Sequence, residues 1–403
     1  MEEKKERKMR DSGIPWIGEV PEGWEFSKIK YHCTMKSGDN ITALDISDNG
    51  EYPVYGGNGL RGFYKIYNKN GNHILIGRQG ALAGNVHLVN GKFWATDHAV
   101  IVTLKNDVFI NYFFRMLESM NLNQYAFDTA AQPGLSVSRI MNLNIVLPNL
   151  KEQHRIANFL GSKCSEIDTL IENLRARMES AKEYKKAVIT EAVTKGLDKD
   201  AKMKDSGVEW IGEIPEGWKV VRFKHIASIK SNLVQPDKYM KYPQIAPDNI
   251  EKDTGRLLSH QTVEESGVIS GNHLFYRGQI LYSKIRPNLN KLTVAPFDGL
   301  CSADMYPIES KLPTLFMVYS MLSTYFVSQV SLIIQDRVKM PKINQEELGE
   351  IKVAVPSQQE MLTIADYLDS KCSEIDALLQ NYEYQIATLE KISRRILVTS
   401  VVS

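Results

Sequence analysis

Leu160, Cys164, Ile167, Ile171, Leu174, Met178, Ala181, Lys185, Val188 and Ala192 follow one another at alternating steps of four and three residues. That rhythm is the seam of a long helix packed on another helix. Leu368, Cys372, Ile375, Leu379, Tyr382, Ile386, Leu389, Ser393, Ile396 and Ser400 repeat it 208 residues further on. Each seam takes a polar residue at the same step, Lys185 and Ser393. An amphipathic helix lying on its own domain would give one such stripe. Two in matching register predict that the helices pair with each other.

The chain outside the helices follows a different pattern. The apolar run His73–Ile76 ends at Gly77-Arg78-Gln79-Gly80, which predicts a strand and a turn. Val100–Val102 predicts another strand, and Gln279–Tyr282 one that leads into Ser283–Asn288. Residues 108–122 place Phe109, Tyr112, Phe113, Met116 and Leu117 on one helical face. The pattern predicts a mixed α/β fold.

A short motif then shows that the chain is written twice. MRDSGIPWIGEVPEGW at 9–24 returns as MKDSGVEWIGEIPEGW at 203–218, and SKCSEID at 162–168 returns unchanged at 370–376. The order is motif, variable region, helix, repeated. This divides the chain into a tail (1–8), a first domain (9–150), a first spacer helix (151–196), a linker and second domain (197–357) and a second spacer helix (358–403). The variable regions, 31–147 and 225–355, share little sequence.

Linker length bears on the direction of the helices. Gly196 is a helix stop, and Trp210 of the second motif follows 14 residues later. A parallel pair would need the chain to return along a seam of about 48 Å. An antiparallel pair needs no return. It puts a domain at each end of a spacer of roughly 50 Å, with pseudo-two-fold symmetry. It also puts residues 9–24 near the end of helix two, and 203–218 near the end of helix one.

Composition narrows the functional classes little. Net charge is +1, so any basic surface is local. Cys33, Cys164, Cys301 and Cys372 form no C-x-x-C pair, which argues against a zinc site and suits a reducing cytoplasm. The charged residues 1–8 do not read as a signal peptide, and no apolar run is long enough for a membrane span.

The doubled motif, Gly134-Leu135-Ser136 leading to Ile145–Pro148, Glu152-Gln153, and Ile156–Leu160 resemble the type I restriction-modification specificity subunit (S, or HsdS). Met340–Asn344, Val355-Pro356 and Ile364-Ala365 continue the likeness, from about residue 9 to 400. One departure is that Glu152-Gln153 becomes Gln359-Glu360. The resemblance implies two target recognition domains joined by conserved helices; unlike domains held about 50 Å apart match a two-part DNA target with an unread gap, and no motif here points to catalysis. The resemblance also implies two methyltransferase subunits docked on the helices and two restriction subunits. S-adenosylmethionine, ATP and Mg are then expected on those partners, with no cofactor here.

DNA contact needs cations for phosphates, and Arg, Lys, Asn or Gln on a firm frame for bases. The first region offers Arg61, Lys65, Arg78, Gln79, Gln132 and Arg139. The second has 14 basic and 13 acidic residues over 225–355, yet gathers Lys284, Arg286, Asn288, Asn290 and Lys291 in one loop. Gln335, Arg337, Lys339 and Lys342 gather in another. For each one singly, a solvated surface charge is the plainer account; the clusters carry the inference. Gly57-x-Gly59-x-x-Gly62 spells a dinucleotide fingerprint, but Phe63–Asn68 follows where a helix would have to begin. His73, His87 and His98 lack metal-ligand spacing, and Asp97-His98 lacks a nucleophile partner. Two functions stay open: a DNA-reading subunit, and an assembly scaffold that binds only proteins. Divergence of the variable regions favours the first.

Overall fold

The computed structural model describes residues 8–14, 17–80, 83–127, 134–337 and 339–402. They form two compact units: Met1–Leu174 with Tyr384–Ser403, and Arg175–Glu383. Each unit is a variable domain plus the beginning of one long helix and the end of the other, so the helices are not separate bodies.

In the first unit the strands are β1 (Glu25–Lys28), β2 (Cys33–Ser37), β3 (Tyr52–Gly56), β4 (Gly59–Tyr64), β5 (Lys69–Asn70), β6 (His73–Gly77), β7 (Val86–Val89), β8 (Lys92–Ala95) and β9 (Ala99–Leu104). Helices α1 (Ile110–Ser119) and α2 (Val137–Met141) and strand β10 (Asn144–Leu147) follow, and then the long helix α3 (Leu150–Lys195) begins. One sheet has the order β2-β9-β6-β7, and the other β4-β3-β8-β5 with β3 and β8 parallel. Strand β10 pairs with β1.

The apolar run of β6 is buried on both faces, which is why it reads as continuous and not alternating. Ile74 and Ile76 join a core with Tyr112, Phe113, Met116 and Leu117 of α1. Leu75 joins Val89, Phe93, Ala95 and Ile101 on the opposite side. Burial raises the Tyr112 hydroxyl far above its usual range, and the Cys33 thiol to about 12.

The second unit has β11 (Lys219–Arg222), β12 (Ala227–Ile229), β13 (Leu233–Val234), β14 (Pro243–Ile245), β15 (Gln261–Thr262), β16 (Asn272–Phe275), β17 (Ile280–Ser283), β18 (Leu292–Val294), β19 (Gly299–Cys301) and β20 (Met305–Ser310). Helices α4 (Thr314–Leu322), α5 (Thr324–Ile334) and α6 (Gln345–Glu350), strand β21 (Lys352–Val355) and helix α7 (Gln358–Val402) complete the chain. The sheets run β12-β20-β17-β18 and β13-β16-β19-β14-β15, with β14 and β19 parallel. Strand by strand this repeats the first domain, with β13 added at an edge. Helix α5 stands where the described residues of the first domain form the 3-10 turn Leu122–Tyr125. Two regions with little common sequence therefore share one topology. Strands need only apolar positions at the right places, and these tolerate many sequences.

Tyr282 in β17 is fully buried, and its hydroxyl has no hydrogen-bond partner among the described residues. Tyr282→Phe removes an unsatisfied buried hydroxyl, so stability should rise by about 1 kcal/mol. A urea midpoint at or below the parent's would refute this.

The long helices begin alike. Asn149 Oδ1 accepts from Glu152 N at 3.0 Å, and Ser357 Oγ from Glu360 N at 3.3 Å. Helix α3 stops at Gly196, whose φ of +75° suits glycine. The expected antiparallel direction is borne out within the units. In the second, Lys185 Nζ donates to Asp376 Oδ1 at 2.6 Å, while Gly196 sits beside Glu360 and Trp218. Positions rise along α3 as they fall along α7. In the first unit, Ile156 and Leu160 share a core with Leu397, Val401 and Trp24. Seam positions Leu160, Ile167, Ile171, Leu174, Leu368 and Ile375 are buried; Met178, Leu379, Tyr382, Ile386 and Leu389 are half-buried.

The apparent swap of Glu152-Gln153 into Gln359-Glu360 resolves by register. Glu152 and Glu360 hold the same helical position, 208 residues apart. Glu360 Oε1 accepts from Trp218 Nε1 at 3.0 Å. Gln153 is instead buried, donating to Pro148 O at 2.9 Å and accepting from Phe109 N at 2.8 Å.

Candidate nucleic-acid interface

In each domain two loops, distant in sequence, are tied edge to edge. In the second, Ile343 N donates to Lys284 O at 3.0 Å, Arg286 N donates to Pro341 O at 2.8 Å, and Ile285 bridges Lys342. In the first, Leu135 N donates to Arg78 O at 2.9 Å, and Gln79 bridges Gly134. The β6–β7 loop thus corresponds to the β17–β18 loop. Arg78 stands at the place of Lys284, and Gln79 at that of Ile285. Two clusters picked out separately in the sequence occupy one position in a common frame.

The second loop pair brings together Lys284, Arg286, Asn288, Lys339 and Lys342, which are all exposed except the half-buried Lys284. Lys284 Nζ lies over the Tyr306 ring at 5.3 Å. Arg337 forms a fork with Glu347, and that hydrogen bond holds the Glu347 carboxyl below its usual range. Lys342 Nζ donates to Asp304 Oδ1 at 3.3 Å. Gln335 is exposed at the end of α5.

Two residues of this cluster turn inward. Lys291 Nζ donates to Pro247 O at 2.8 Å, so it is bound to the fold. Asn290 is 1% exposed and donates from Nδ2 to Met321 O at 3.0 Å. Both anchor the loop, whose 3-10 turn Pro287–Leu289 begins at a buried proline.

In the first domain Arg78 and Gln79 are exposed, and Arg78 donates from Nη1 to Ser37 Oγ at 3.2 Å. Arg139 lies on α2, with its guanidinium 5.7 Å from the Tyr125 ring centre. Arg61 and Lys65 are exposed along and just beyond edge strand β4. Gln132 lies outside the described residues.

The Gly57–Gly62 pattern is a hairpin turn between β3 and β4. A Cβ on Gly57 would stand 3.2 Å from His98 O and 3.7 Å from Arg78 N. Glycine lets this turn lie against the Arg78 loop. Asp97 and His98 fall between β8 and β9, their side chains 3.9 Å apart. Among the described residues no group of three or more His, Cys, Asp or Glu is placed to hold a metal ion. Tyr306 and Asp304 support the site but carried no sequence signal, since each meets its partner only through long-range strand pairing; Glu347 meets Arg337 ten residues away, from the first turn of α6.

Residues 21–180 match the type I restriction modification DNA specificity domain family. That segment holds the first variable domain and much of α3. The chain is similar to the EcoDI type I restriction enzyme specificity subunit of Escherichia coli, at 33% identity over 66% of this chain and 63% of that protein. It is also similar to the MjaVIII specificity subunit of Methanocaldococcus jannaschii, at 27% identity over 94% of this chain and 92% of that protein. The chain thus spans under two thirds of the EcoDI protein and nearly all of MjaVIII. In a solved structure concerned with complex assembly and conformational transition of the type I R-M system, one chain matches with TM-score 0.67 at 16% identity. That match covers 95% of this chain and 98% of that one. It speaks for the fold alone. The resemblance first carried by the doubled motif is borne out, as is the mixed α/β class. No single described helix is long and apolar enough to cross a membrane.

Proposed function

We propose that this chain is the DNA-reading specificity subunit of a type I restriction-modification complex. It reads two different half-sites and docks the methyltransferase subunits, and it catalyses nothing itself. The observation that carries this is the common frame: two domains of one topology present the same loop pair with different residues. Lys284 and Lys339 supply charge for phosphates; Gln79, Asn288 and Gln335 suit base edges. Arg337 and Lys342 exchange their carboxylate partners for phosphate on binding. S-adenosylmethionine, ATP and Mg act on the methyltransferase and restriction partners.

The partner surface is supported by a second stripe on the helices. Phe159, Leu170 and Tyr184 on α3 are exposed, and so are Tyr367, Leu378 and Ile392 on α7, each 208 residues on. At about 100° per residue, steps of 11 and 14 keep each trio on one helical face. A repeated apolar face off the seam suits two copies of one partner. Phe159→Ser combined with Tyr367→Ser should leave stability within about 0.5 kcal/mol, since both are exposed. Assembly with the methyltransferase subunit should weaken at least tenfold on the order of magnitude of lost aromatic anchors. Unchanged co-elution would count against the surface.

The direct test is a gel shift with the assembled methyltransferase complex at several salt concentrations. Affinity should fall steeply with salt, and Lys284→Ala or Lys339→Ala should each lower the log–log slope by about 1. Binding that ignores both salt and sequence favours a protein scaffold and refutes the proposal.

A further inference from the structure

We infer that Arg286 is the specificity-determining residue of the second domain, held in place at the cost of backbone strain. The inference rests on the DNA-reading function proposed above. Arg286 has φ +43° and ψ +53°, in the left-handed region. An L residue with a long side chain is disfavoured there, and glycine is the usual occupant. The first domain shows that the frame accepts glycine. One residue beyond the bridge Gln79–Gly134 stands Gly80, with φ +86°. One residue beyond the equivalent bridge Ile285–Lys342 stands Arg286. The same turn is thus made without strain in one half of the chain and with it in the other.

Nothing within the fold accounts for an arginine at this step. Its guanidinium makes no hydrogen bond or ion pair among the described residues. Three nearby cations do have partners: Lys291 on Pro247 O, Arg337 on Glu347, Lys342 on Asp304. The surroundings over-determine the backbone. Pro287 and Asn290 are buried, Asn290 is tied to Met321 O, and Arg286 N is tied to Pro341 O beside Met340, itself at φ +46°. Strain of this kind, fixed by its neighbours, collects where a side chain must be presented. A guanidinium on a rigid turn is suited to the paired acceptors of a guanine edge in the major groove.

The test uses the full chain assembled with its methyltransferase partners. Duplexes carry the target found by mapping methylated adenines, or that target with either half scrambled. Arg286→Gly and Arg286→Asn both suit the left-handed backbone. Each should lower the preference for the cognate over the scrambled sequence by roughly tenfold to a hundredfold, the range of one good base contact. The loss should fall on one half-site only, with the melting temperature unchanged or raised. An unchanged preference in either variant overturns the inference, and so does a lowered melting temperature in both. A parent complex that fails to tell cognate from scrambled would instead overturn the DNA-reading function itself.

Discussion

Replacing Gly38 by alanine should unfold or severely loosen the first domain. Gly38 follows β2, and its N–H donates to Ala99 O at 3.0 Å. A Cβ there would stand 2.2 Å from Ala95 O and 2.6 Å from Thr96 O. Both are backbone atoms, held in the sheet through β8 and the turn after it, and no side-chain rotation can relieve the overlap. The expected loss is about 3 kcal/mol or more, the upper range for overpacking. Gly71 is the control. It has φ +101° but open space around it, so alanine there meets only the conformational penalty of about 1–2 kcal/mol. Hydrogen exchange would localise the damage to residues of the first unit. A Gly38→Ala chain as protected there as the parent would show that the close approach is wrong.

Removing Asp376 should be the second large effect. Lys185 is the polar step in the first seam; its side chain is 10% exposed and Asp376's is 51% exposed. Asp376→Ala strands a nearly buried ammonium. Truncating one partner of a buried pair costs about 3–5 kcal/mol, and the exposure of Asp376 lowers the expectation to about 2 kcal/mol. Lys185→Met should be neutral or stabilising, because it removes the charge together with its desolvation penalty. The repeat-related positions are Ser393 and Asp168, which cannot form an ion pair. The pair therefore marks one end of the helix pairing and not the other. Urea midpoints of the two single variants decide the matter: equal losses would mean that the ion pair is a net stabiliser.

Much of the frame was legible because it rests on local or periodic rules. The four-three steps located α3 and α7 and their buried faces. Gly196 located a helix end, and the linker to Trp210 implied the antiparallel direction. The run His73–Ile76 read as a strand, and Phe109–Leu117 as a helical face. Each of these depends on residues close in sequence, or on a repeat that compares the chain with itself. The site was legible only as clusters. Sequence could gather Lys284, Arg286 and Lys291, but not tell that Lys291 bonds inward to Pro247 O while the Arg286 side chain makes no hydrogen bond or ion pair among the described residues.

The sequence by itself determined a duplicated chain, its two long paired helices and the α/β character of what lies between them. Tertiary structure alone decided that the two variable regions share a topology, because strand order depends on pairings between distant segments. It alone brought Lys284 beside Ile343 and Arg78 beside Leu135, and so revealed that the loops correspond. The strain at Arg286 was likewise invisible beforehand: only a loop clamped at both ends forces a non-glycine residue into the left-handed region, and the clamps lie far off along the chain.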